Sequence, residues 1–189
     1  MNDIAIGLIG TGFMGKCHAL AFRAVSAVFP DVPMPRLELL ADVDPGVTSA
    51  AAKAFGFARW TTDWRALVTD PAIDLVAITT PNFLHQEMAL AAIEAGKHVY
   101  CEKPLALSAA GARHMTEAAE ATGVKTLVGY NYLHSPATTL AKDIIASGEI
   151  GEVVQFRGTH FEDYMADPTT PHSWRCRKET SGAGAIADL

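Results

Sequence analysis

From Ile4 to Ile9 the chain is almost continuously apolar. A run of that length without alternation predicts a central parallel strand, covered by helices on both of its faces. Glycines follow, and Phe13 to about Phe29 then reads as a helix with Leu20, Ala24 and Val28 along one stripe. Three prolines in FPDVPMP, Phe29 to Pro35, end it. Leu37 to Ala41 is the second apolar run, closing at Asp42, and Asp44-Pro45 opens a helix through Phe55 with Gly56 at its C-terminal end. The beat continues with a short strand at Ala58 to Trp60, a helix from Asp63 to Val68 and a strand from Leu75 to Thr79. Asn82 is expected to cap a helix over Phe83 to Ala95, ended by Gly96. A strand at Lys97 to Cys101, a helix from Ser108 to Ala121 and a strand at Lys125 to Gly129 complete the series. About six strands alternating with helices predict an α/β architecture, a doubly wound and mostly parallel sheet, over residues 1–130.

After Tyr130 the texture changes. A helix from Pro136 to Ser147 and a turn at Gly148 to Gly151 lead into Glu152 to Phe161, where Val154, Phe156 and Gly158 alternate with Val153, Gln155 and Arg157. That alternation predicts a half-exposed antiparallel strand, so residues 131–189 read as the incomplete start of an α+β second domain. One strand makes no sheet, and the expectation is a C-terminally truncated chain. Left unpaired, this strand is expected to make the monomer poorly soluble, to pair with a second copy, or to be disordered beyond about Thr159.

Composition narrows the function. The 189 residues are 49% hydrophobic and 19% charged, enough to bury a core and unlike a disordered chain. Fifteen Lys and Arg against twenty-one Asp and Glu leave a net charge of −6, with no cluster of like charge suited to nucleic acid or a lipid surface. No segment approaches the ~18 apolar residues of a membrane span. The opening MNDIAIGLIG carries Asp3 and too short an apolar run for a signal peptide, so the expected location is the cytoplasm. Cys17, Cys101 and Cys176 fit neither a disulfide framework nor a CxxC pair and read as reduced thiols. His18, His98, His114 and His172 show no HxH or HxxxH pairing, so no metal is expected. Trp60, Trp64, Phe13 and Met14 read as core.

Gly10, Thr11, Gly12, Phe13, Met14 and Gly15 spell GxGxxG between a predicted strand and a predicted helix. In that setting the first glycine makes the turn, the second admits a pyrophosphate to the backbone, and the third packs helix on strand; this is the Rossmann fingerprint. Asp42 ends the second strand, 27 residues after Gly15, with the proline-rich loop accounting for the length. It is placed to accept from adenine-ribose hydroxyls, or else it is a capping or solvated acid. No Lys or Arg from Asp42 to Ser49 awaits a 2′-phosphate, so NAD is expected over NADP. Two more strand ends present Thr79, Thr80, Pro81 and Asn82, and Glu102, Lys103 and Pro104, where an open α/β sheet binds its ligand. Lys103 reads either as a general acid/base or as a lysine paired with Glu102.

GLIGTGFMG, LLADVDP, AITTPNFLH, VYCEKPLA and GYNYLHSPA occur in this order, and together they resemble the Gfo/Idh/MocA oxidoreductase family over essentially the whole chain. RGTHFEDYMADP with PHSWR looks most like the family's sugar dehydrogenases of the levoglucosan and inositol type. The resemblance implies hydride transfer between a sugar or cyclitol hydroxyl carbon and nicotinamide. Lys103 of the EKP motif would exchange the hydroxyl proton, and Lys103-Pro104 is expected to be cis. Asp188 matches a catalytic aspartate whose partner histidine would fall at position 192, outside these residues. His85 matches a position near the cofactor, against the alternative of a helix-surface histidine, and Tyr130 and Asn131 match the segment lining the nicotinamide side. Leu133 and then His134 stand where the family often has Arg at the first of the two. Trp174 and Arg175, with His160 and Tyr164, match the approach to cofactor and substrate. The family's second domain further implies a homo-oligomer. The other readings are a non-catalytic NAD-binding sensor on the same scaffold and another Rossmann reductase of the homoserine or biliverdin type.

Overall fold

The computed structural model describes residues 3–188. Six strands, β1 (Ile4–Ile9), β2 (Pro35–Ala41), β3 (Arg59–Thr61), β4 (Leu75–Ile78), β5 (His98–Cys101) and β6 (Thr126–Val128), form one sheet in the order β3-β2-β1-β4-β5-β6. Every pairing is parallel. The chain winds outward one way from β1 through β2 and β3, then returns and winds the other way through β4, β5 and β6. The point of reversal lies between β1 and β4, the place at whose C-terminal strand ends open α/β sheets receive their ligands.

Helices α1 (Phe13–Val28), α2 (Pro45–Phe55), α3 (Trp64–Thr69), α4 (Asn82–Glu94) and α5 (Ala109–Thr122) follow the first five strands. Local chemistry sets several of their ends. Asp44 accepts from the Val47 amide with Pro45 at the first helical position, and Gly56 closes α2 at φ 87°. Ser108 caps α5 by accepting from the Gly111 amide.

The apolar strands bury two clusters, one on each face of the sheet. Ile9, Leu39, Val76 and Ile78 pack with Leu67 of α3 and Met88 and Ile93 of α4, while Ile6, Leu8, Leu40 and Ala77 pack with Ala19 of α1 and Ala52 of α2. Period-two alternation along each strand produces this division.

Several expectations need correction. The buried stripe of α1 is Gly15, His18 and Ala19, and Leu20 and Val28 are more than half exposed. The contact of Gly15 with the turn rotates the helix so that a small glycine and a polar histidine face the sheet. Asn82 is not a cap: Pro81 holds that position without a side-chain bond, and Asn82 is the first residue of α4. Trp60 is exposed because it sits on the edge strand β3, while Trp64 packs at the margin of the core.

The chain divides into two compact units, Met1–Gly129 with Trp174–Leu189, and Tyr130–Ser173. In the first, a 3-10 turn at Trp174–Cys176 and the short helices α7 (Lys178–Ser181) and α8 (Ala185–Asp188) follow the second unit in sequence; the second holds a 3-10 helix at Asn131–His134 and α6 (Pro136–Ala146), capped by Ser135. The expected strand from Glu152 to Phe161 is absent from the described residues. A strand exists by pairing, and here Val154, Phe156 and Phe161 lie about nine-tenths exposed with no ladder beside them. Among the described residues no helix is long and apolar enough to cross a membrane.

Candidate functional site

The C-terminal end of β1 makes the first wall. Gly10 turns the chain at φ +106°, and its amide donates to Ala41 O at 2.9 Å. A Cβ on Gly15 would stand 2.1 Å from Gly10 O, so only glycine allows α1 this close to the turn. A Cβ on Gly12 would meet nothing within 4 Å. α1 therefore begins beside open space, with no side-chain cap at Gly12 and no acid in its first turn. The first amides of a helix lack intrahelical acceptors, and together with the helix dipole they favour an anion there. Phe13 is four-fifths exposed and Met14 partly buried, which corrects the reading of Phe13 as core. A hydrophobic side chain in the first turn of α1 borders this opening rather than the sheet.

Asp42, at the end of β2, is tied to this turn. Its Oδ2 accepts from the Thr11 amide at 2.7 Å and from the Thr11 hydroxyl at 2.6 Å, while Oδ1 accepts from the Val43 amide at 2.7 Å. The carboxylate is thus fixed in orientation and its remaining lone pairs are free to accept from a vicinal diol. Its negative charge also repels a phosphate.

Thr79 is tied to the glycine turn. Its hydroxyl lies 3.0 Å from Ile9 O and 3.1 Å from Gly10 O, so it secures the glycine turn from behind. Thr80 directs its hydroxyl toward Met88 Sδ at 3.6 Å, and the buried Asn82 donates from Nδ2 to Ser181 O at 3.3 Å. His85 is fully buried, which removes the helix-surface alternative. Its Nδ1 lies 2.8 Å from Pro104 O and its Nε2 2.8 Å from Thr80 O, bridging the loops that follow β4 and β5.

Glu102, Lys103 and Pro104 leave the end of β5, and Lys103-Pro104 is cis, as the resemblance implied. The Glu102 amide donates to Ile78 O at 2.9 Å, which extends the pairing of β5 with β4 to the motif itself. The Glu102 carboxylate is buried and accepts from His18 Nε2 at 2.8 Å. Next to it, burial first and the Glu102 charge second push the Cys101 thiol up to about 12. Burial raises Tyr100 as well, with Glu102 adding to it. His18 is the residue that the sequence pattern did not single out. The available signal was its place three residues after Gly15, on the helix face that glycine turns toward the sheet.

Asn131 lies in the second unit, at the start of a 3-10 helix. Trp174 and Arg175 belong to the first, with the Arg175 guanidinium 4.4 Å from the centre of the Trp174 ring. Asp188 ends α8, and its side chain lies outside the described residues. Among the described residues no group of three His, Cys, Asp or Glu is arranged for a metal, and all three cysteines are free.

The walls fit a dinucleotide. The open space at Gly12, the uncapped amides of α1 and the oriented carboxylate of Asp42 suit a pyrophosphate and a ribose diol in turn.

Comparison with known proteins points the same way. Residues 4–130 match the family model described as "Oxidoreductase family, NAD-binding Rossmann fold", and residues 138–189 match a GFO/IDH/MocA C-terminal domain. The chain is 44% identical to a levoglucosan dehydrogenase of Pseudarthrobacter phenanthrenivorans, over all of this chain and 49% of that protein. It is 32% identical to a scyllo-inositol 2-dehydrogenase (NAD(+)) of Bacillus subtilis, over 83% of this chain and 44% of that one. A solved levoglucosan dehydrogenase in complex with NADH superposes at TM-score 0.95 and 43% identity, over 100% of this chain and 51% of that chain. This chain spans about half the length of the curated relatives it matches.

Proposed function

The chain belongs to the Gfo/Idh/MocA oxidoreductase family, and on that premise we propose that it serves NAD-dependent hydride transfer at a hydroxyl-bearing carbon of a sugar or cyclitol. The observation that carries the reading is the juxtaposition of two sites at one sheet edge: an anion-ready helix start beside an oriented Asp42, and the Glu102-Lys103-Pro104 turn two strands from β1. Residues 1–130 bind the dinucleotide and 131–189 begin the part that covers the substrate, in a homo-oligomer at work in the cytoplasm.

NAD, when bound, supplies the hydride acceptor at its nicotinamide ring. The chain's own residues do the rest. The amides after Gly12 take the pyrophosphate, and Asp42, held by Thr11, takes the ribose hydroxyls and disfavours NADP. Thr79 and His85 keep the surrounding loops in register with the glycine turn and the lysine. Lys103 accepts the substrate hydroxyl proton at Nζ as the C–H bond breaks, and returns it in the reverse direction. Asp188 orients that ammonium or the substrate. Trp174 and Arg175, in the same unit, contribute to the cofactor surroundings.

The test is turnover of NAD with levoglucosan and with myo-inositol, in the protein as its gene encodes it, beside Lys103→Met. Loss of turnover by about 10²-fold or more with NADH binding intact supports the assignment, since a positioned proton-transfer group contributes on that order. Unchanged turnover in Lys103→Met defeats it.

A further inference from the structure

We propose that His18 is a positioning residue that holds the proton-transfer turn against the dinucleotide-binding helix through Glu102. The proposal rests on Lys103 being the proton-transfer group. His18 lies on α1, 84 positions from Glu102, and both are about 94% buried. The two carboxylate oxygens of Glu102 have different partners. Oε1 accepts from His18 Nε2 at 2.8 Å, and Oε2 accepts from the backbone amide of Lys103 at 3.3 Å.

The carboxylate has little room to move. A Cβ on Gly129 would come within 2.9 to 3.1 Å of its three terminal atoms, so the bare backbone after β6 forms a wall. The ring of Tyr100 lies 4.6 Å from that of His18 and supports its other side. His18 Nδ1 is buried with no hydrogen-bond partner, so the imidazole's polar contact is spent on Glu102.

Stability alone is a poor reason for such a pair. Burying a carboxylate and an imidazole costs about as much as their attraction returns, and apolar residues of the same volume hold a core at least as well. The pair does join two segments that must keep a fixed relation: the helix whose N-terminus faces the anion, and the turn that carries Lys103. Without the donor from α1, Oε1 is buried and unsatisfied, and the turn shifts to relieve it.

His18→Leu removes the donor, and His18→Gln keeps an N–H at similar reach. The first readout needs no substrate: trace labelling of lysines with acetic anhydride, read by mass spectrometry, with the exposed Lys53 and Lys125 as internal references. His18→Leu is expected to change the relative labelling of Lys103 by at least about three-fold, and His18→Gln to restore it. In turnover, kcat is expected to fall about ten-fold or more in His18→Leu with NADH affinity within about two-fold, and to recover in His18→Gln. Should His18→Leu fail to fold, Glu102→Gln, which keeps the shape and removes the charge, is expected to give the same change at Lys103. A His18→Leu protein with a lower melting temperature but wild-type Lys103 labelling overturns the proposal, as does Glu102→Gln with no effect at Lys103. If the wild type turns over neither sugar, the functional reading has failed on substrate while the labelling still decides the positioning.

Discussion

Two glycines of one motif are expected to fail in opposite ways. Alanine at position 15 puts a Cβ 2.1 Å from Gly10 O and 3.0 Å from Gly10 C, against the roughly 3.4 Å of ordinary contact. Both obstacles are backbone, so α1 must move by more than ~1 Å from the turn, an overpacking that costs ~1–3 kcal/mol. For a chain of this length each kcal/mol lowers the melting temperature by ~2–4 °C, so Gly15→Ala is expected to melt ~2–12 °C early. Alanine at position 12 meets nothing within 4 Å, and Gly12 has φ −64°, which any residue accepts. Gly12→Ala meets no steric obstacle and is expected to cost only the poorer N-cap, no more than ~1 kcal/mol. The added methyl group instead occupies the space through which a pyrophosphate reaches the amides of α1. NADH affinity, followed by fluorescence titration, is expected to drop about ten-fold or more, which is ~1.4 kcal/mol. Thermal melts of both variants beside that titration decide the matter. Wild-type NADH affinity in Gly12→Ala, or an equal loss of melting temperature in the two variants, would refute the division of labour.

Asp42→Ala is expected to weaken NADH about ten-fold while NADPH loses less or gains, because the same change removes an acceptor and a repulsive charge; equal losses for both nucleotides would count against the ribose assignment. His85→Leu removes the imidazole that bridges Thr80 O and Pro104 O and leaves the carbonyl it donates to unsatisfied, at ~1–3 kcal/mol, and is expected to lower both the denaturation midpoint and NADH affinity. The Cys101 thiol keeps its proton in the fold up to about 12 against 9.0 in the open chain, so the unfolded state binds fewer protons between these values. Stability from this source is present below pH 9 and falls as pH rises toward 12, by up to ~1.4 kcal/mol per unit, with the raised Tyr100 acting in the same direction. Urea midpoints at pH 8 and pH 10 should show a shallower decline in Cys101→Ala than in the wild type; identical slopes would rule the thiol out.

Local rules were enough to write most of the sheet. The unbroken apolar run Ile4–Ile9 and the caps at Asp44 and Ser108 act within a few residues of themselves, and the strands and helices they predict are those observed. The glycine turn was equally legible, since each glycine at that spacing answers to a local need: a positive φ at Gly10, open space at Gly12 and room for the Gly10 carbonyl at Gly15. The face that α1 turns inward was not legible. It depends on how close Gly15 lets the helix come to the Gly10 carbonyl, a contact that outranks the apolar stripe of Leu20 and Val28. Asn82 had the chemistry of a cap, but its amide went to Ser181, 99 positions away, which no local signal encodes. The alternation from Glu152 to Phe161 described a surface fit for a sheet and could not supply the neighbouring strand. The pairing of His18 with Glu102 is of the same kind. Each residue is ordinary in its own segment, and only the parallel stacking of β1, β4 and β5 under α1 brings a histidine of one to the carboxylate of the other.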